Sequence, residues 1–389
     1  MNRYLAAHVV SLPPSGIRKF FDLVATMKDV ISLGVGEPDF VTPWTVCESG
    51  IYSLEQGQTM YTSNAGLFEL REELSYHLKK TLDLSYDPNE EILITAGASE
   101  AVDLVMRAVL EPGDVVLVPD PSYVSYAPCA ILAGATVQFV PTHAKEEFRL
   151  RVEDLEQAYS PKAKLLVLSY PNNPTGAIMR REDLLPIADF VEKHDLLVLA
   201  DDIYSDLTFE GTHVSFASLP GMHDRTLFVS GFSKSYAMTG WRIGYVAGHA
   251  DLISGLTKIH QFTMLCAPIM GQIASLEALR SASEAKQKMI DAYNRRRRIM
   301  VRGFRQMGLE CFEPLGAFYV FPDITKTKLS SEEFAEALLK EENVAVVPGT
   351  AFGPSGEGHI RCSYAYSTDQ LKEALKRITR FVESRLSKL

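Results

Sequence analysis

Between about Glu91 and Gly248 short apolar runs alternate with stretches whose apolar residues recur at helical spacing, and this alternation limits the fold more than any other feature. A strand that is apolar on both faces must be covered on both, so such runs joined through helices read as a mainly parallel sheet between helical layers. The expected strands are Ile92–Thr95, Val115–Val118, Thr136–Val140, Leu165–Ser169, Leu196–Ala200, Thr226–Val229 and Ile243–Ala247. Among the expected helices are Ala98–Leu110, Tyr123–Ala133, Val152–Tyr159 and Arg181–His194, with Pro112–Gly113 and Ala133–Gly134 as punctuation. The class is therefore α/β on a seven-stranded sheet. Past Gly248 the pattern turns helical, then becomes a smaller α+β part with strands at Ala317–Phe321, Val344–Val347 and Ile360–Tyr364 and a last helix Thr368–Leu386. The irregular, Pro-rich first forty-odd residues are expected to pack on that part as an arm. The implied division is a large domain over 45–288, and a small one made of 1–44 with 289–389.

At 389 residues the chain suits two domains. A formal net charge of −10 argues against a surface that tracks nucleic-acid backbones. The run Arg295–Arg298 sits inside a helical pattern from Glu284 to Met307, so it reads as a solvated or salt-bridged helix face. Five scattered cysteines, none in a C-x-x-C pair, suggest neither a disulfide framework nor a metal site and fit a reducing cytoplasm. The opening MNRYLAAHVVSLPPSG lacks a signal-peptide pattern, and no apolar stretch is long enough to span a bilayer.

The chemistry-bearing residues cluster after the apolar runs. Lys234, in VSGFSKSYAMTGWRIGY, follows the run Thr226–Val229 and so lies at the carboxyl end of a strand, where α/β sheets place ligand sites. Alone it would read as ordinary surface charge. Arg242, in the apolar setting GWRIG, calls for an anion or a structural ion pair, because an unpaired buried charge is costly. Asp201 and Asp202 end LLVLADD beside Tyr204, as a strand-end acid or a turn cap. The segment SYPNNPTG, with Asn173, is a turn by propensity. In ILITAGASEAVDL a strand passes through Gly97, Ala98 and Ser99 into a helix whose start favours a phosphate. GVGEPDF lacks the third glycine of a dinucleotide fingerprint and is not read as one.

In this order GEPDF, YTSNAGLFELR, GASEA, PSYVSY, YPNNPTG, DDIYSDL, SGFSKSYAMTGWRIGY, GAFYVFP, VPGTAFG and HIRCSYA resemble blocks of the class I/II aminotransferases, within the fold-type I pyridoxal-phosphate enzymes. The likeness runs from about Ile31 to Leu386. It implies pyridoxal 5'-phosphate as cofactor, and an amino group moved between an L-amino acid and a 2-oxo acid in a ping-pong sequence, with 2-oxoglutarate and glutamate as one pair. Lys234 matches the lysine that forms an imine with the cofactor, and Asp201 matches the partner of its ring nitrogen. Asn173 and Tyr204 match the groups at the phenolic oxygen, and Tyr123 the stacking aromatic. Ala98, Ser99, Ser233 and Arg242 fall in phosphate-contacting positions. Arg361 matches the arginine whose planar fork grips the substrate α-carboxylate, with Gly36 and Asn173 close to it. Tyr61 matches a tyrosine that reaches the neighbouring subunit's phosphate, which implies a homodimer.

The chain departs from the family at Asp202, where a glutamate is usual, and at the arm sequence PPSGIRKF, which leaves the side-chain pocket open. There Arg18 or Lys19 could meet a distal carboxylate, or be plain surface charge. The same residues serve C–S lyases and aminocyclopropane-carboxylate synthase, and a non-catalytic cofactor-binding regulatory module is the alternative of another class.

Overall fold

The computed structural model describes residues 4–12 and 29–387; the PPSGIRKF stretch with Arg18 and Lys19 lies outside them. Twelve strands are found among the described residues: β1 (Ile31–Ser32), β2 (Ile92–Thr95), β3 (Val115–Asp120), β4 (Thr136–Pro141), β5 (Ala163–Leu168), β6 (Leu197–Asp201), β7 (Thr226–Gly231), β8 (Gly244–Ala247), β9 (Tyr319–Val320), β10 (Val344–Ala345), β11 (Val347–Pro348) and β12 (Ile360–Ser363). Seven of them make one sheet in the order β2-β8-β7-β6-β5-β3-β4. Each pairing is parallel except those of β8, which runs antiparallel to both β2 and β7.

The double-sided burial expected of these strands is visible residue by residue. In β5 Leu165 and Val167 enter one core, with Val102 and Val105 of the helix Ala98–Val109. Leu166 and Leu168 enter the other, with Ile187 and Phe190 of the helix Arg181–Lys193. Each such side chain contributes about 1.5–3 kcal/mol by leaving water. The same alternation sends Asp201 and Asp202, at the end of β6, to opposite faces of the sheet. A separate core gathers Met300, Phe304, Phe318, Phe334, Ile378 and Phe381 with Leu33 of the arm. The arm is held there by β1, which pairs in parallel with β10.

All seven strands of the large sheet fall within two residues of the sequence reading. Three departures have physical causes. The helix expected from Tyr123 starts at Tyr126, because the chain first makes a turn in which the Tyr126 amide donates to Tyr123 O, while the Ser122 amide is bound to Phe352 O. The strand expected over Val344–Val347 is two short ones, β10 facing β1 and β11 facing β12. The arginine run does not form one face, since consecutive helical residues point about 100° apart. Arg295 and Arg298 are exposed, Arg296 forks onto Asp39 at 2.7 and 2.9 Å, and Arg297 is fully buried against Glu210, Glu313 and Pro314 O. Two helices that the sequence reading does not assign, Trp44–Glu55 and Phe68–Leu82, precede the sheet.

Candidate active site

The carboxyl ends of the central strands open onto a cavity of about 330 Å³. Asp201 is the last residue of β6, and Lys234 follows the end of β7. Ala98 and Ser99 begin the helix after β2, and Asn173 lies in the loop after β5. The opposite wall comes from the smaller part of the chain: Arg361 from β12, Tyr319 from β9, and Gly34 to Gly36 just past β1. Tyr123, Tyr204, Ser233 and Arg242 also line it. Of the described residues matched to cofactor or substrate contacts, Tyr61 alone lies elsewhere, 82% exposed in the loop between the helices Trp44–Glu55 and Phe68–Leu82.

Besides Arg242, three charged groups in the cavity lack a partner of opposite sign among the described residues. Lys234 Nζ donates to the carbonyl of Gly36 at 2.7 Å, and no carboxylate lies within ion-pair distance among the described residues. Burial, with smaller contributions from Arg361 and Arg242, pulls the ammonium down to a pKa of about 8 against the attraction of Glu37 and Asp201. Burial likewise raises the Asp201 carboxyl to about 6, opposed by hydrogen bonds from the Tyr126 hydroxyl and the Ile203 amide. Arg361, 3% exposed, donates to Asn173 Oδ1 at 2.9 Å and to Gly34 O, and it is stacked between the rings of Tyr319 and Phe352 at 4.6 and 4.7 Å. Its Nε is buried with no partner. A buried, uncompensated guanidinium held between two rings suits an incoming carboxylate.

The far end of the cavity suits a phosphate. The helix Ala98–Val109 begins at Gly97 with no side-chain cap, so its first N–H groups and dipole are open to an anion. Gly97 has φ +83°, and a Cβ there would stand 2.4 Å from Arg242 Nη2, so glycine is what lets the guanidinium reach the helix start. Arg242 is exposed rather than buried, and its contacts are the carbonyls of Thr239 at 2.9 Å and Ala96 at 3.4 Å. Neither the buried setting inferred from GWRIG nor a structural ion pair is found among the described residues. A chain turn at Trp241, with Arg242 at φ +57°, carries the side chain outward. Cation, uncapped helix start, buried acid and amine of lowered pKa together fit a phosphorylated pyridine aldehyde.

Two tyrosines in the site were not singled out by sequence. Tyr126, 0% exposed, donates its hydroxyl to Asp201 Oδ2 at 2.6 Å. Tyr319 shares a 2.7 Å hydrogen bond with the Tyr204 hydroxyl while its ring lies under Arg361. A Cβ at Gly36 would stand 2.3 Å from the Tyr319 hydroxyl, so Gly36 makes room for this pair. Each sits one residue type deep in an aromatic-rich block, and nothing local in the sequence marks it.

Residues 28–378 match the model of the family "Aminotransferase class I and II". YugH of Bacillus subtilis, provisionally named an aminotransferase, is 52% identical over 382 residues, 98% of this chain and 99% of that one. An aspartate aminotransferase of Pyrococcus abyssi is 44% identical over 96% of each chain. The crystal structure of an aromatic aminotransferase from Pyrococcus horikoshii superposes with a TM-score of 0.91 at 43% identity, covering 95% of this chain and 99% of that chain. The α/β architecture is thus that of the fold-type I pyridoxal-phosphate enzymes. Matched over nearly its whole length, the chain belongs to the class I and II aminotransferases.

Proposed function

We propose that this aminotransferase works through Lys234, Asp201, Tyr204 and Arg361 on pyridoxal 5'-phosphate, passing nitrogen between an L-amino acid and a 2-oxo acid, with glutamate and 2-oxoglutarate as one pair. The observation that carries the reading is the set of charges without ion-pair partners, half-buried Lys234 and buried Asp201 on one wall of a cavity and buried Arg361 on the other. Unpaired charges are costly in a fold, and a ligand bearing complementary groups removes that cost.

When bound, the cofactor supplies an electrophilic carbon and a ring that accepts an electron pair. The residues do the rest. Lys234, with its pKa near 8, offers far more neutral amine at working pH than an ordinary lysine. Once free of the cofactor it takes the substrate Cα proton as a base. Asp201, ionised above about pH 6, holds a proton on the ring nitrogen. Asn173 and Tyr204 would hold the ring's phenolic oxygen, and Tyr123 would hold the ring. Ala98, Ser99, Ser233 and Arg242 hold the phosphate. Arg361 orients the α-carboxylate, with Gly36 and Asn173 beside it, and water is excluded as the two walls close.

We further propose a division into 45–288 and 1–44 with 289–389, supported by a core whose buried members come from the smaller part except for Tyr204, Leu207 and Ala237. We propose a homodimer as well, supported by the exposure of Trp44, Tyr52, Met60, Tyr61 and Phe262, with Tyr61 completing the partner's phosphate site. No described helix is long and apolar enough to cross a membrane. Five free cysteines favour a cytoplasmic setting.

Borohydride reduction followed by peptide mapping tests the reading: the visible absorbance is lost and the label falls on Lys234. A label on another lysine, or none, would falsify it. A donor panel with 2-oxoglutarate, scored as glutamate formed, ranks the side chains.

A further inference from the structure

Asp201 is placed at the end of β6 with its carboxyl on the face covered by the helix Tyr126–Leu132. That carboxyl is 5% exposed, and it receives two bonds: the Tyr126 hydroxyl on Oδ2 at 2.6 Å and the Ile203 amide on Oδ1 at 3.2 Å. Tyr126 is itself fully buried, and the Ser169 hydroxyl, on a residue 4% exposed, acts to lower the phenol's pKa. Tyr123 packs edge-on against the Tyr126 ring at 5.5 Å. The result is a buried phenol donating to a buried acid, with the Ser169 hydroxyl acting on the phenol. Neighbouring hydrogen bonds polarise one another and are strongest onto a charged acceptor.

We propose that Tyr126, supported by Ser169, is a positioning residue that keeps Asp201 ionised and aimed at the cofactor ring. The proposal rests on the assignment of Asp201 as the ring-nitrogen partner. The groups facing the carboxyl divide by sign. Burial and the neighbouring Asp202 charge raise its pKa; the Tyr126 hydroxyl, the Ile203 amide and the Lys234 ammonium lower it. Among the lowering causes the Tyr126 bond is the largest. Tyrosine suits the task because its own proton is locked on: burial and the adjacent carboxylate push the hydroxyl well above its ordinary pKa. It therefore donates at every working pH and never competes for the charge.

The test is Tyr126→Phe, which keeps the ring and removes the donor, read in the cofactor-loaded enzyme beside Asp201→Asn and Ser169→Ala. With the donor gone, burial is less opposed, and the Asp201 carboxyl titrates higher. The acid-side midpoint of the bound cofactor's absorbance change, recorded without substrate, is expected to move up by about one pH unit, as is the acid limb of kcat; one unit is tenfold in the ionised fraction. At pH 7 kcat then falls about twofold, the loss approaches tenfold below the wild-type midpoint, and activity recovers in alkali, with KM little changed. Ser169→Ala should shift both midpoints in the same direction by less. A Tyr126→Phe enzyme that is merely less stable, with both midpoints unmoved, overturns the proposal while a crippled Asp201→Asn leaves the assignment of Asp201 intact. Wild-type turnover and spectra in Asp201→Asn remove that assignment and the proposal with it. If Tyr126→Phe does not fold, an unshifted Ser169→Ala is the overturning result.

Discussion

Two lysines lie near the ends of β6 and β7, and the fold treats them in opposite ways. Lys286 meets Asp206 at 2.9 Å beside the ring of Tyr236. Burial works against its charge, but Asp206 and Tyr236 outweigh burial, and its pKa is raised. Asp206 is shifted the other way: burial favours its neutral form, and Lys286, with help from Ser235, more than compensates. Both members of that pair are held charged. In the cavity of Lys234 and Asp201 burial wins on both sides, because the amine has a neutral carbonyl for its partner and the acid a phenol. The paired site has used up its charges on itself. The unpaired site keeps them for a ligand, at some cost in stability.

The comparison breaks most visibly in turnover. Lys234→Ala is expected to lower kcat by about 10²–10⁴-fold, the range that a positioned proton-transfer group commonly supplies. Lys286→Met should leave kcat within a few-fold, yet lose roughly 1–3 kcal/mol of stability because Asp206 is left without its cation. Steady-state rates and denaturant midpoints on both variants decide it. Equal losses of turnover would mean that pairing does not separate the two sites.

Arg361 and Arg297 repeat the contrast among arginines. Arg297, fully buried, has Glu210 at 2.9 Å and Glu313 at 3.2 Å, whereas Arg361 has carbonyl and amide oxygens and an orphan Nε. Arg361→Lys keeps the charge and loses the fork. Loss of one charge-assisted bond of about 1.5–3 kcal/mol predicts a fall of roughly 10- to 100-fold in kcat/KM for every α-amino acid donor, with cofactor content unchanged. A loss confined to dicarboxylic donors would put Arg361 at a distal carboxylate instead.

Much of this was legible before the structure, for a physical reason. Strands buried on both faces leave continuous apolar runs, and the residues that follow them, such as Asp201 after LLVLA, are carried to one end of the sheet whatever lies between. What depended on packing between distant segments was not legible. Tyr126 and Asp201 are 75 residues apart, and PSYVSY offers four hydroxyl groups, on Ser122, Tyr123, Ser125 and Tyr126, with no local sign of which turns inward. The outward turn of Arg242 follows from a left-handed residue that GWRIG does not announce. Arg297 is buried while its neighbours in the run are not, and only the packing of Glu210 and Glu313 against that helix selects it.

The smallest effect is also the most direct reading of the contrast, because it needs neither substrate nor cofactor. Lys234 has a folded-state pKa of about 8, below the ordinary 10.5. A group whose pKa is depressed by folding contributes stability above its unfolded pKa and loses it as pH falls through the folded one. Asp201, raised to about 6, contributes below its ordinary pKa and loses that as pH rises through about 6. Near pH 7 the cofactor-free protein therefore has both charges buried and gains from neither. Lys234→Met removes one of them. Its cofactor-free form is expected to melt a few degrees above wild type near pH 7, at roughly 2–4 °C for each kcal/mol. The gap should close toward about pH 10, where the wild-type lysine has already lost its proton. Lys286→Met should show the opposite sign, melting below wild type near pH 7, because its charge is matched. Thermal scans of stripped protein at the two pH values give both differences, and other titrating groups cancel between variant and wild type. A gap for Lys234→Met that stays constant with pH would show that the melting difference comes from packing, and the contrast between the two lysines would lose its electrostatic basis.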